Sequence, residues 1–152
     1  MDNNSQPKKL WFIPPRCLTT DLLLLEFQST HELIYQIDEK YHSGKAPAKS
    51  VLIRRFFGYQ PYVFLRNKMI SAELHHRTGS SLVDVPKSII KFGESYYYAT
   101  NKMIQEHCSQ VYDYWEDMNN SEKITELSVL SSYQINQELR YLFSMYKEKY
   151  GV

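Results

Sequence analysis

Residues 51–77 read VLIRRFFGYQPYVFLRNKMISAELHHR, and how this stretch folds decides the rest of the chain. Two readings compete. In the first, a helix from Pro47 to Phe57 turns Ala48, Val51, Leu52 and Phe56 inward and Arg54 and Arg55 outward. Gly58 ends it, and Pro61 opens a second helix over about 61–77 at the position where a missing N–H costs nothing. Tyr62, Val63, Phe64 and Leu65 wrap all the way round that second helix, the pattern of a central, buried element. In the second reading the β-branched and aromatic residues on either side of Gly58 pair as a hairpin over 51–66. The helical reading is preferred, because Asn67 through His76 continues as helix more naturally than as strand.

Working outward toward the C-terminus, Thr78–Asp84 reads as a loop. Ile90, Tyr97, Ile104, Val111 and Met118 then recur every seven residues, which predicts one long helix near 86–118 with Gly93 as its weak point. Asn119-Asn120-Ser121 breaks the pattern, with Ile124, Leu127 and Leu130 as the inner line of the next helix. Ser131-Ser132-Tyr133-Gln134 is a capping box ahead of Ile135, Leu139, Leu142 and Tyr146. Toward the N-terminus, Leu10–Ile13 followed by Pro14 and Pro15 predicts an extended apolar segment laid on the body. A helix starts near Thr20, and Ser29-Thr30-His31-Glu32 offers a second start ahead of Leu33, Ile34, Ile37 and Tyr41, with Gly44 as the stop. The expectation is an all-α, single-domain bundle of about five or six helices spanning 9–152, behind a disordered tail at 1–8. The alternative is an α+β fold with the hairpin at 51–66.

Charge is sorted by position. Residues 45–93 carry nine bases (Lys45, Lys49, Arg54, Arg55, Arg66, Lys68, Arg77, Lys87, Lys91) against Glu73 and Asp84, while the flanks hold net charges of −2 and −4 in a chain of net +1. The basic band is also rich in rings, with Phe56, Phe57, Tyr59, Tyr62 and Phe64, and the chain as a whole has 13 tyrosines. Tyr and Arg are enriched at protein interfaces. Three readings of the band follow: an acidic protein partner or a second copy of the chain, a nucleic-acid face, or neutralisation by the chain's own acids Glu94, Glu106, Asp113 and Glu116. The nucleic-acid reading assigns Lys45, Lys49, Arg54, Arg55, Arg66 and Lys68 to phosphates and Phe57, Tyr59 or Tyr62 to bases. Against it, the would-be recognition helix opens on apolar residues, where base reading needs polar ones.

Catalytic and metal chemistry is sought and not found in the sequence. His75 and His76 are adjacent, so on a helix they point apart and cannot chelate one ion together. His107 and Cys108 are neighbours for the same reason, which makes Cys108 a core thiol and leaves the histidines at surface or half-buried positions. His75-His76-Arg77-Thr78-Gly79 has the residue types of an anion pocket, but it closes a helix at the negative end of the dipole and reads as a terminator. Two cysteines suit a reducing compartment, and the longest apolar run, Leu22–Leu25, is far too short to span a bilayer. The expectation is a cytoplasmic, non-catalytic interaction or adaptor module with no cofactor, no metal and no membrane. It docks an acidic partner through Lys49, Arg54, Arg55, Phe57, Tyr59 and Tyr62, with nucleic-acid binding through 45–77 as the alternative.

Overall fold

The structure, a computed structural model, describes residues 9–43, 50–117 and 127–152, with the side chains of 115–117 and 128 outside the description. It is all-α, and no strand occurs among the described residues, so the hairpin alternative at 51–66 is excluded. Helices run over Thr20–Ser43 (α1), Val51–Phe56 (α2), Gln60–Thr78 (α3), Asn101–Asp117 (α4) and Ser132–Tyr150 (α5), with short 3-10 turns at Pro15–Cys17, Phe57–Tyr59, Lys87–Ile89 and Leu127–Val129. Four of these are full helices and α2 has only six residues, a smaller set than the five or six expected. The tail at 1–8, Lys45, Ala48, Lys49 and the Asn119–Ile124 stretch lie outside the described residues.

The central helix is α3, as its all-round apolar surface requires. Every residue from Gln60 to Ile70 is buried. α3 packs against α1 along one side and α5 on another, while α4 pairs with α5 and α2 sits on α1. Pro61 lies in its first turn, and Gly79 ends it at φ 73° with its N–H donated to His75 O at 2.8 Å. Leu10–Ile13 is buried against the bundle as an extended segment before a turn at Pro15–Cys17.

α1 and α3 are held in register by a polar seam through the core. On α1, Glu26, Thr30 and Ile34 follow one another at four-residue spacing, so they share a face. Arg66 Nε and Nη2 donate to the two Glu26 carboxylate oxygens at 2.7 and 2.9 Å, and both side chains are 0% exposed. Asn67 Nδ2 donates to Thr30 Oγ1 at 3.0 Å, and Gln60 Nε2 donates to Ile34 O at 3.2 Å. Thr20, Glu26 and Ile34 meet Arg77, Arg66 and Gln60 in turn, so the two helices run antiparallel. Trp11 N–H also donates to Glu26 Oε2 at 3.1 Å, which ties the N-terminal segment to the same carboxylate. Burial raises the Glu26 carboxyl above its ordinary value, opposed by the charge and hydrogen bonds of Arg66.

Three expectations are corrected. The Ser29 capping box is not a helix start: α1 is continuous through it, started instead by Thr19, whose Oγ1 accepts from Leu22 N–H at 3.3 Å. Val51 points outward, 61% exposed, and Ile53 takes the inward place beside Phe56. The long helix near 86–118 exists only from Asn101. Pro86 leads into a single 3-10 turn at Lys87–Ile89, and residues 91–100 then cross the bundle without helical structure. The cause lies at two glycines. Glu94 N–H donates to Gly58 O at 2.9 Å, and Tyr62 N–H donates to Glu94 O at 3.2 Å, so the 91–100 segment is stitched to the α2–α3 corner by long-range backbone bonds. Gly93 stands there at φ 118°, and a Cβ on it would lie 2.7 Å from Gly58 O. No helix satisfies those bonds.

Replacing Gly93 by Ala therefore costs on the order of 1–3 kcal/mol in strain before the clash is counted. Gly79→Ala has open space and loses only the left-handed cap, about 1 kcal/mol, so urea denaturation should rank the Gly93 variant as clearly the less stable. Glu26→Ala strands the buried Arg66 charge and is expected to lose about 3–5 kcal/mol, whereas Glu26→Leu combined with Arg66→Met loses markedly less. Equal losses for the single and double variants in a denaturation series would refute the ion-pair account.

Candidate functional site

The basic band divides into cations that the fold uses and cations that it leaves at the surface. Arg66 is spent on Glu26. Lys68 is buried, donating to Asp84 and to Val85 O. Arg77 donates to Glu73 at 2.9 Å and reaches across to Pro15 O at 3.2 Å and Thr20 Oγ1 at 3.3 Å, pinning the Pro15–Cys17 turn to the end of α3. Two of these acids, Glu73 and Asp84, lie within the band itself, and the third is on α1. Among the described residues, Glu94, Glu106 and Asp113 form no ion pair with the band, and the side chain of Glu116 lies outside the description.

Arg54, Arg55, Lys87 and Lys91 remain exposed among the described residues. α2 is started by Ser50, whose Oγ accepts from Ile53 N–H, and its inner residues Ile53 and Phe56 turn the two arginines to solvent. Both are exposed, and among the described residues neither forms an ion pair. Phe57 and Tyr59 follow on the 3-10 turn as half-buried rings. Phe57 meets Phe92 edge-on at 5.9 Å, Phe92 meets Tyr41 at 4.5 Å, and Tyr59 meets Tyr97 at 5.0 Å. Tyr41 is 47% exposed, so the surface beside α2 carries several partly open rings from three distant stretches of chain.

Tyr62 does not belong to this surface. It is 2% exposed, stacked on Phe143 at 4.5 Å and parallel to Phe56 at 5.9 Å, and burial raises its hydroxyl pKa. Its place in a helix that is apolar on every side already pointed inward. Two contributors to the surface escaped the sequence: Phe92, read as part of a helix, and Lys9. The ammonium of Lys9 is held by Gln110 and lies 5.0 Å from the Trp11 ring centroid. Its pKa is lowered, first by burial and then by the charge of Arg55, with the charge of Glu106 opposing.

The histidines and thiols are accounted for as follows. The His75–Gly79 string closes α3, and His75 Nδ1 lies 3.1 Å from Ser80 O. His107 is not at the surface. It is 7% exposed, stacked on Phe12 at 4.7 Å, edge-on to Trp11 at 5.3 Å, and its Nδ1 accepts from Phe12 N–H at 3.0 Å. Burial, with the nearby charges of Lys9, Arg55 and Arg66, pushes its pKa down to about 3. Cys108 is half-buried and its thiol is raised to about 11, chiefly by burial; Cys17 is raised for the same reason, so both are protonated at neutral pH. Among the described residues no group of three or more His, Cys, Asp or Glu side chains gathers to hold a metal, and no helix is long and apolar enough to cross a membrane. No family model, curated protein or solved structure matches this chain.

His107 has a consequence for stability. The unfolded imidazole takes a proton near pH 6.5 and the folded one only near 3, so protons favour the unfolded chain between those values. The contribution of His107 is full above that window and is lost as pH falls through it, with a slope of up to about 1.4 kcal/mol per pH unit. Urea denaturation at pH 7 and pH 4.5 should show a smaller acid loss for His107→Gln, which keeps an acceptor for Phe12 N–H but does not titrate. The same pH dependence in both proteins would remove His107 as its source.

Proposed function

We propose that this chain is a non-catalytic helical interaction module, and that it docks an acidic protein partner through the cations and rings around α2. One observation carries the reading: the fold neutralises Arg66, Lys68 and Arg77 internally, and of the band's cations left exposed without an ion pair among the described residues (Arg54, Arg55, Lys87 and Lys91) the two arginines stand together on α2 beside the half-open rings. Exposed, unpaired arginines beside half-open tyrosine and phenylalanine rings have the composition of an interface centre. Lys9 adds charge from the N-terminal segment, and Lys49 adjoins the patch in sequence.

A nucleic-acid face is the weaker reading. Two of the six cations assigned to phosphates, Arg66 and Lys68, are buried, as is Tyr62 among the stacking rings. Fewer phosphate contacts mean a smaller counterion-release gain, and that gain supplies most non-specific affinity.

The test uses the whole chain. Proteins that co-purify with it are identified by mass spectrometry, and binding of a purified acidic one is measured by calorimetry. Arg54→Glu with Arg55→Glu should weaken that complex by about tenfold or more, with helical content unchanged by circular dichroism. An unchanged affinity refutes the α2 face, and oligonucleotide binding that falls steeply with salt would put nucleic acid in its place.

A further inference from the structure

On another part of the surface, α5 and the crossing segment 95–98 enclose an open groove of about 360 Å³. Arg140, Phe143, Ser144 and Lys147 recur at three- and four-residue spacing, so one face of α5 supplies a cation, an apolar floor, a hydroxyl and a second cation. Ser95, Tyr96 and Tyr98 form the opposite wall. None of these residues belongs to the α2 patch.

The first cation is held in place. The guanidinium of Arg140 lies 4.8 Å from the Tyr98 ring centroid and 5.9 Å from that of Tyr96. The Tyr96 hydroxyl in the same wall donates to Asn136 Oδ1 at 3.1 Å. A guanidinium carries five N–H donors, a fork that suits oxygen acceptors. Among the described residues neither Arg140 nor Lys147 forms an ion pair, and the groove lining contains no carboxylate.

We propose that this groove binds a small aromatic phosphate, of mononucleotide size. Arg140, Lys147 and the Ser144 hydroxyl take the phosphate oxygens, the charge-assisted donors that such an anion needs. The ring of the ligand rests against Tyr98, which is 66% exposed, above a floor to which the buried Phe143 contributes an edge. The volume falls within the range of small-molecule pockets, roughly 300–1,000 Å³. A groove of this volume suits one phosphate with its ring rather than an extended polyanion.

Adenosine 5′-monophosphate, adenosine, inorganic phosphate and phosphotyrosine are titrated separately into the whole chain and followed by amide chemical shifts and calorimetry. The monophosphate should perturb residues 95–98 and 140–147, and adenosine or inorganic phosphate alone should bind about tenfold or more weakly. Arg140→Gln should weaken the monophosphate by a similar factor, and Lys147→Gln provides the same test should the first variant lose its fold. Arg54→Glu with Arg55→Glu should leave this affinity unchanged, which separates the groove from the α2 proposal. Phosphotyrosine binding more tightly than the nucleotide assigns the same chemistry to a modified side chain, and weaker binding assigns it to a free nucleotide. The proposal is overturned if the monophosphate binds no better than inorganic phosphate, if the shifts fall outside the groove, or if both α5 variants bind it like wild type.

Discussion

The buried pair of Glu26 and Arg66 sets the terms for everything around it. Two charges with no exposure are tolerable only when nearly every polar atom finds a partner, because the desolvation cost rivals the attraction. The two-pronged contact, together with Trp11 N–H on the same carboxylate, supplies most of that geometry and leaves Arg66 Nη1 without a partner among the described residues. Thr30–Asn67 and Gln60–Ile34 O extend the seam by a turn or more on each helix, and each link works at only one register of α1 against α3. An apolar contact between two helices slides at small cost; a row of buried polar partners does not. The seam therefore acts as a registry device as much as a source of stability.

A second set of links runs through Gln60. Its carbonyl oxygen accepts from Lys91 N–H at 3.1 Å while its amide nitrogen reaches α1, so one side chain at the start of α3 joins α1 to the crossing segment. The Gly58–Glu94–Tyr62 backbone bonds continue the attachment. With 91–100 anchored in this way, Tyr97 packs among Phe12, Phe56 and Tyr59, while Tyr96 and Tyr98 lie along α5. The tyrosines that make this chain compositionally unusual are thus divided between core and surface by a stretch with no regular structure. Both proposed binding regions depend on it, through Phe92 at one end and Tyr98 at the other.

Much of the fold was legible. Pro61 at the start of α3, Gly79 at its end, the Ser131–Gln134 capping box and the buried Leu10–Ile13 segment are local signals, and local signals survive folding when the tertiary contacts agree with them. The α2 patch was legible only in part. Arg54 and Arg55 face outward as the helix pattern predicts, but Tyr62 follows the burial of α3, and Lys9 and Phe92 reach the same region from distant parts of the chain. Ser29 was misread because a capping box is also an ordinary sequence inside a helix when the residues before it are themselves helical. The heptad at 90–118 was misread because its early members, Ile90 and Tyr97, are apolar for core contacts made by a non-helical chain.

By itself, then, the sequence favoured the all-α class over a hairpin at 51–66 and pointed to the central position of the 61–77 helix, most helix ends and a surplus of positive charge in the middle third. Those properties follow from side-chain periodicity, caps and composition, which act over a few residues. Which of the band's cations are consumed, where α4 begins, and that His107 is buried beside Phe12 were decided by the tertiary structure alone. Each rests on a partner far away in the chain: Glu26 is 40 residues from Arg66, and Phe12 is 95 residues from His107. A lone arginine or histidine carries no local mark of whether such a partner will arrive, so its charge reads as surface until the fold brings the acceptor to it.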